Sequence, residues 1–222
     1  MSKRNQSNKT HTLALWSALD SADPTPAGEL LAPQLRWFGF DPIGNLEGRE
    51  AFFARFWNPF RESFPAVKRH VHLFFGGESI GRVDGDLTRD GRHWVTGTGV
   101  FTGHFANDYL GIPAHGREVS LRWGEFCCFE DGLLTEIYFQ FDLVDLAQQV
   151  GINLLPPSRG KDALYPPPAA GDGFLDSPQD PNQSAHTLAH IRGFIFEGLN
   201  AYDESSLGSM GMADYFHPDV RW

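Results

Sequence analysis

The sequence predicts an α+β fold in which a cone-shaped, curved antiparallel sheet wraps around N-terminal helices. Three observations carry that expectation. Phe52, Phe53, Phe56, Trp57 and Phe60 fall on one helical stripe, which needs an apolar surface to lie on. The stretch after Pro65 breaks into extended segments rich in β-branched and aromatic residues, separated by Gly and Asp turns. A hydrophobic fraction of 41% and an aromatic fraction of 14% supply a core built largely from rings.

The elements follow in chain order. Residues 1–10 are polar and basic and are expected to form a disordered leader. Residues 12–19 carry apolar side chains at helical spacing, and Asp23-Pro24 and Pro26 end that pattern. A helical turn is expected at 29–32 and a first strand at 35–40, ending at Asp41-Pro42. The aromatic helix covers 51–64, with a bend near Pro59. Further strands are expected at 68–76, 79–83, 94–104, 119–129 and 134–143, and a closing helical turn at 144–150 stops on Gly151. The first domain thus spans 11–155, and the proline-rich stretch 156–181 reads as a semi-rigid linker.

Beyond the linker the chain repeats itself. His186-Thr187-Leu188-Ala189 matches His11-Thr12-Leu13-Ala14, and His217-Pro218-Asp219-Val220-Arg221-Trp222 parallels Ala32-Pro33-Gln34-Leu35-Arg36-Trp37 in the same order. Residues 182–222 are therefore expected to be the truncated start of a second copy of the same domain. Self-association, or pairing of domain copies within a chain, is the expected assembly.

Composition narrows the partners. Eighteen Lys and Arg against 28 Asp and Glu give a net charge of −10, which repels a phosphate backbone, so no nucleic acid partner is expected. No apolar run reaches membrane-spanning length, and no membrane partner is expected. Cys127 and Cys128 are adjacent in a strand, so their side chains point to opposite faces; free thiols and a cytoplasmic location follow as expectations.

The run Thr102-Gly103, then Leu110-Gly111-Ile112-Pro113-Ala114-His115-Gly116-Arg117-Glu118-Val119, then Phe129-Glu130-Asp131-Gly132-Leu133-Leu134-Thr135-Glu136 resembles the SnoaL-like polyketide cyclases of the nuclear-transport-factor-2-like superfamily. The closing run from Asp142 to Gly151 fits the same family. The resemblance implies a pocket for a small hydrophobic carbonyl compound. It also implies chemistry without metal or organic cofactor, in which an acidic residue removes a proton beside a carbonyl. Other superfamily members isomerise, dehydrate, hydrolyse or only bind. Two departures stand out: Phe101 occupies a position where a His is common, and Ile137-Tyr138-Phe139 replaces a His-Trp-Asp. An insertion at 104–109 is expected to form a lid or a rim.

A base beside a carbonyl needs a pKa tuned by burial and a donor facing the enolate oxygen. Asp142, at the end of the last strand on the face of Gln140 and Tyr138, is the leading candidate; capping the following helix is the alternative. His104 is a second catalytic candidate and equally a surface residue. Glu125, among apolar neighbours, is a second carboxyl, a cross-strand partner for Arg122, or a solvated side chain. Trp37, Trp57, Trp94, Arg122, Trp123, Tyr138 and Gln140 are candidates for binding substrate, with core filling the alternative for each Trp. No metal site is expected: His70 and His72 share a strand face without further ligands at a convincing spacing. The Gly97-x-Gly99 pair reads as close packing rather than a dinucleotide loop.

Overall fold

A computed structural model describes residues 3–80, 87–156, 167 and 171–217. The chain divides into two compact units, Ser2–Ser177 and Pro178–Trp222. The first unit therefore runs on past residue 155, where the sequence pattern closes.

Its six strands are β1 (Leu31–Phe38), β2 (Asn45–Glu47), β3 (Lys68–Glu78), β4 (His93–His104), β5 (Glu118–Glu130) and β6 (Leu133–Phe141). They form one curved sheet in the order β2-β1-β6-β5-β4-β3. All neighbouring pairs are antiparallel except β1 and β6, which run parallel, with Trp37 opposite Ile137. That pair departs from the all-antiparallel expectation because the chain returns to β1 from the far side of the sheet instead of through a hairpin. Of the strand expected at 79–83, residues 81–83 lie outside the described residues. Ser79 continues the β3 pairing through backbone bonds to Arg92 and Gly91.

Helix α1 (Lys3–Asp20) begins inside the expected leader. Those first turns are ordered by burial: Asn5, Asn8 and Lys9 are inaccessible despite their polarity. The aromatic stripe forms α2 (Arg49–Phe52), a π-helical turn (Phe53–Trp57) and α3 (Asn58–Ser63). Pro59 sits in the first turn of α3, directly after the π-helical turn. Helix α4 (Leu143–Gln149) follows β6.

Strand alternation divides the sheet into two faces. On the inner face Leu121, Trp123, Glu125 and Cys127 of β5 and Ile137, Phe139 and Phe141 of β6 are buried. Phe56 centres the packing there: its ring lies 4.6 Å from Trp37, 4.9 Å from Phe139 and 5.8 Å from Phe141. Gly97 lets α1 approach the sheet, since a Cβ there would meet the Trp16 ring at 2.3 Å. The outer face carries Thr96, Arg122, Gly124, Phe126, Tyr138 and Gln140, and Phe126 is 54% exposed.

In the second unit Asp180 caps α5 (Pro181–Gly193), its carboxylate accepting from the Asn182 N–H at 2.9 Å. The repeated His186–Ala189 segment is thus helical, as is its counterpart in α1. Residues 218–222, where the second copy's strand was expected, lie outside the described residues.

Removing the ring at the centre of the inner face leaves a void that its fixed neighbours cannot refill. Phe56→Ala is expected to cost about 3–5 kcal/mol, read from the urea midpoint of unfolding at constant m-value.

Candidate functional site

The candidate residues divide between the faces. Trp37, Trp57 and Trp123 point inward and are buried. Trp94, Arg122, Tyr138 and Gln140 lie on the outer face. His104 ends β4 in an exposed position opposite Glu118.

Asp142 caps α4. One carboxylate oxygen accepts from the Asp145 N–H at 2.9 Å and the other pairs with Arg122 Nη2 at 2.5 Å. Both oxygens are engaged, so the structure gives this residue the capping role weighed as its alternative.

The inner face holds a polar centre in which Glu125 is the buried carboxyl, at 6% exposure. Its register partners are Gly97 and Phe139, and Arg122, three residues back on the same strand, points to the opposite face. Both of its hydrogen bonds fall on Oε1: the Trp16 indole N–H donates, and the Cys127 thiol donates at 3.7 Å. Burial pushes the Glu125 pKa upward, and the nearby Arg69 charge and the Trp16 bond only partly oppose it.

Arg69 of β3 supplies the positive charge. Its Nε and Nη2 donate to Asp20 at 2.9 and 3.2 Å, a forked grip on the last residue of α1. The guanidinium carbon lies 4.6 Å from the Phe101 ring, 4.9 Å from Trp123, 5.1 Å from Trp16 and 5.8 Å from Trp57. A cation walled by rings is held by their quadrupoles. Its Nη1 is buried without a hydrogen-bond partner, and so are Nε1 of Trp57 and of Trp123. Three unanswered donors around one charge suit an oxygen carrying negative character. Burial also drives the Cys127 thiol well above its usual range, so it stays protonated and is a donor rather than a nucleophile.

The insertion after β4 covers this interior. Phe105 stacks on Phe64 at 4.8 Å, and Tyr109 packs edge-on against Phe64 at 5.7 Å, its hydroxyl buried and without a partner. The segment expected as a lid or a rim thus packs its rings on the end of α3.

The sequence pattern identified Glu125, Trp57 and Trp123 but not Arg69, Asp20 or Trp16 as their companions. Arg69 sits on an edge strand and Trp16 on a different element, and only the register of β3 on β4 brings them to Glu125. His70 is taken by the Thr102 hydroxyl at 2.8 Å.

On the outer face a groove of about 800 Å³ is lined by Phe38, Phe75, Trp94, Phe126, Tyr138 and Gln140, among others. Tyr138 stacks on Phe38 at 4.4 Å and lies 5.8 Å from Trp94. Arg89 stands 5.2 Å over the Tyr138 ring.

Residues 13–137 match the SnoaL-like domain family. Among solved structures, a protein from Jannaschia sp. CCS1 named as a SnoaL-like polyketide cyclase is 22% identical, with TM-score 0.50 over 70% of this chain and 98% of its own. A protein from Streptomyces antibioticus named as a polyketide cyclase is 20% identical, with TM-score 0.49 over 64% and 97%. A nuclear-transport-factor-2-like protein from Burkholderia thailandensis E264 is 14% identical, with TM-score 0.48 over 64% and 95%. No curated protein matches the chain in sequence. No described helix is long and apolar enough to cross a membrane.

The raised pKa of Glu125 fixes the sign of a pH effect. In the unfolded chain the carboxyl ionises at its ordinary value; in the fold it holds its proton to higher pH. Its contribution to stability is therefore intact below the unfolded pKa and declines as pH rises through the folded one. Urea unfolding between about pH 4 and pH 8 is expected to show that decline, and Glu125→Gln to flatten it. An unchanged slope in the variant counts against a buried, titrating Glu125.

Proposed function

This chain belongs to the SnoaL-like domain family, and we propose that its first unit binds a small hydrophobic carbonyl compound of polyketide type and performs acid-base chemistry on it with Glu125. The observation that carries this reading is a buried carboxyl with a raised pKa beside a caged guanidinium that keeps one donor unspent.

The base in this scheme is ionised Glu125. The substrate's C–H bond next to the carbonyl breaks, the proton passes to Oε2 of Glu125, and the bonding pair moves onto the carbonyl oxygen as an enolate. Arg69 Nη1 and the Trp57 and Trp123 indole N–H groups face that oxygen and stabilise its charge. The Trp16 N–H keeps Oε1 in place through the transfer. The enolate then takes the proton back from Oε2 at another carbon of a conjugated system, which is isomerisation, or attacks a second carbonyl of the same molecule, whose oxygen takes that proton as the ring closes, which is aldol addition. A carboxyl whose pKa lies above the ordinary range is a better proton acceptor and donor near neutral pH than one at 4.3. No metal or organic cofactor enters these steps. The substrate reaches the interior by displacement of the Phe105–Tyr109 cover, and the setting is the cytoplasm, where Cys127 and Cys128 stay unpaired.

The direct test follows deuterium exchange by proton NMR in D2O at the carbon beside the carbonyl of a panel of aromatic and bicyclic ketones. The wild-type protein is expected to accelerate exchange of at least one of them, and Glu125→Gln to lose about 10²–10⁴-fold of that rate. Asp142→Asn, which keeps a helix-capping oxygen and loses only the ion pair with Arg122, is expected to keep the exchange rate per folded molecule. The opposite pattern returns the base to Asp142.

A second reading is a non-catalytic binding or assembly module, favoured by the exposed aromatic groove on the outer face. Here Phe126 and its neighbours meet the same face of a second chain. Phe126→Arg is expected to lower the weight-average mass in sedimentation if that face pairs copies, and an unchanged mass rules the face out.

A further inference from the structure

We propose that residues 171–177 form a strap that closes the free edge of β3 and positions Trp16 against Glu125; the second half of this statement rests on the reading of Glu125 given above. Strand β3 ends the sheet, so one side of it presents unanswered backbone groups. The strap answers them at Phe74, where the Phe74 N–H donates to Gly173 O at 2.8 Å and the Leu175 N–H donates to Phe74 O at 2.7 Å. Phe74 and Phe174 form a parallel bridge, and their rings stack at 5.2 Å.

Helix α1 grips the other side of the strap. Lys9 Nζ donates to Leu175 O and to Ser177 O, each at 2.7 Å, and Gln6 Nε2 donates to Asp176 O at 2.5 Å. Lys9 is 1% exposed, so its ammonium depends on those carbonyls to replace water. Every bond of this grip falls on main-chain carbonyls, and the partly exposed Phe174 ring adds a side-chain contact by stacking on Phe74.

The contacts run on to the polar centre by two routes. The first is the ring series: Phe174 on Phe74, Phe74 edge-on to Trp16 at 5.2 Å, and the Trp16 N–H on Glu125. The second is α1 itself, since Lys9 and Trp16 are seven residues apart and share one helix face. Phe174 and Lys9 are therefore positioning residues. They touch no reacting atom in the proposed chemistry, and they fix the donor that holds Glu125. The helical order of residues 3–10 draws on the same contacts, since Gln6 and Lys9 bond the strap while Asn5 Nδ2 donates to Gly76 O of β3.

The test compares the full chain with its Phe174→Ala, Phe174→Leu and Lys9→Met variants. Amide exchange by mass spectrometry is expected to quicken by about tenfold or more in residues 3–10 and around Phe74 in Phe174→Ala and Lys9→Met, with β5 and β6 unchanged. Phe174→Leu, which keeps an apolar cover, is expected to restore most of the protection. Unchanged exchange in all three variants overturns the strap. Positioning is read separately from the pH midpoint of the tryptophan emission component that Trp16→Phe removes: a shifted midpoint in Phe174→Ala supports it, and an unshifted midpoint with quickened exchange overturns it. If Glu125→Gln leaves that wild-type midpoint in place, the reading of Glu125 fails and the exchange result still decides the strap.

Discussion

A carboxyl cannot be sealed among aromatic rings unless something answers it, and in this fold the answer is the indole N–H of Trp16. That single bond joins the N-terminal helix to the middle of the sheet. It requires Gly97, because any side chain there would strike the Trp16 ring. It is helped by Arg69 nearby, because neutral donors such as Trp16 and the Cys127 thiol offset only part of the cost of burying a charge. Arg69 in turn is tied to Asp20 at the end of the same helix. The centre is thus a closed circuit between α1, β3 and β5, and the aromatic stripe of α2 and α3 packs beside it to exclude water.

Exclusion of water accounts for both properties of the site. It raises the proton affinity of Glu125, and it strengthens the field that Arg69 exerts on anything placed near its free Nη1. The outer face shows the contrast. Asp142 and Arg122 are partly exposed there, and their pairing serves the end of a helix. Glu125 inside the sheet and Asp142 at the end of β6 therefore differ in character because the helices cover only one face.

Much of the fold could be read in the sequence because it rests on local patterns. The stripe from Phe52 to Phe60 needs a helix lying on an apolar face, and the alternation Leu121, Trp123, Glu125, Cys127 shows which side of β5 is covered. The parallel pairing of β1 with β6 was not legible, since register between distant segments leaves no local trace. Nor was the order in residues 3–10: Asn5, Asn8 and Lys9 have the composition of a solvated leader, and distant groups answer their burial, the Gly76 carbonyl of β3 for Asn5 and the returning segment 171–177 for Lys9. For the site, alternation put Asp142 on a polar strand face but could not say that this face looks outward. Glu125 was visible as a carboxyl among apolar residues, while its partners Trp16 and Arg69 come from other elements and needed the folded chain.

The most direct measurement is the carboxyl titration of Glu125 itself, followed by 13C NMR on protein labelled at the glutamate side-chain carboxyl. The account predicts one glutamate resonance that titrates above the ordinary value of about 4.3, is absent from Glu125→Gln, and moves in Trp16→Phe. A spectrum in which every glutamate titrates in the ordinary range, with Glu125→Gln removing only one of these, would contradict it.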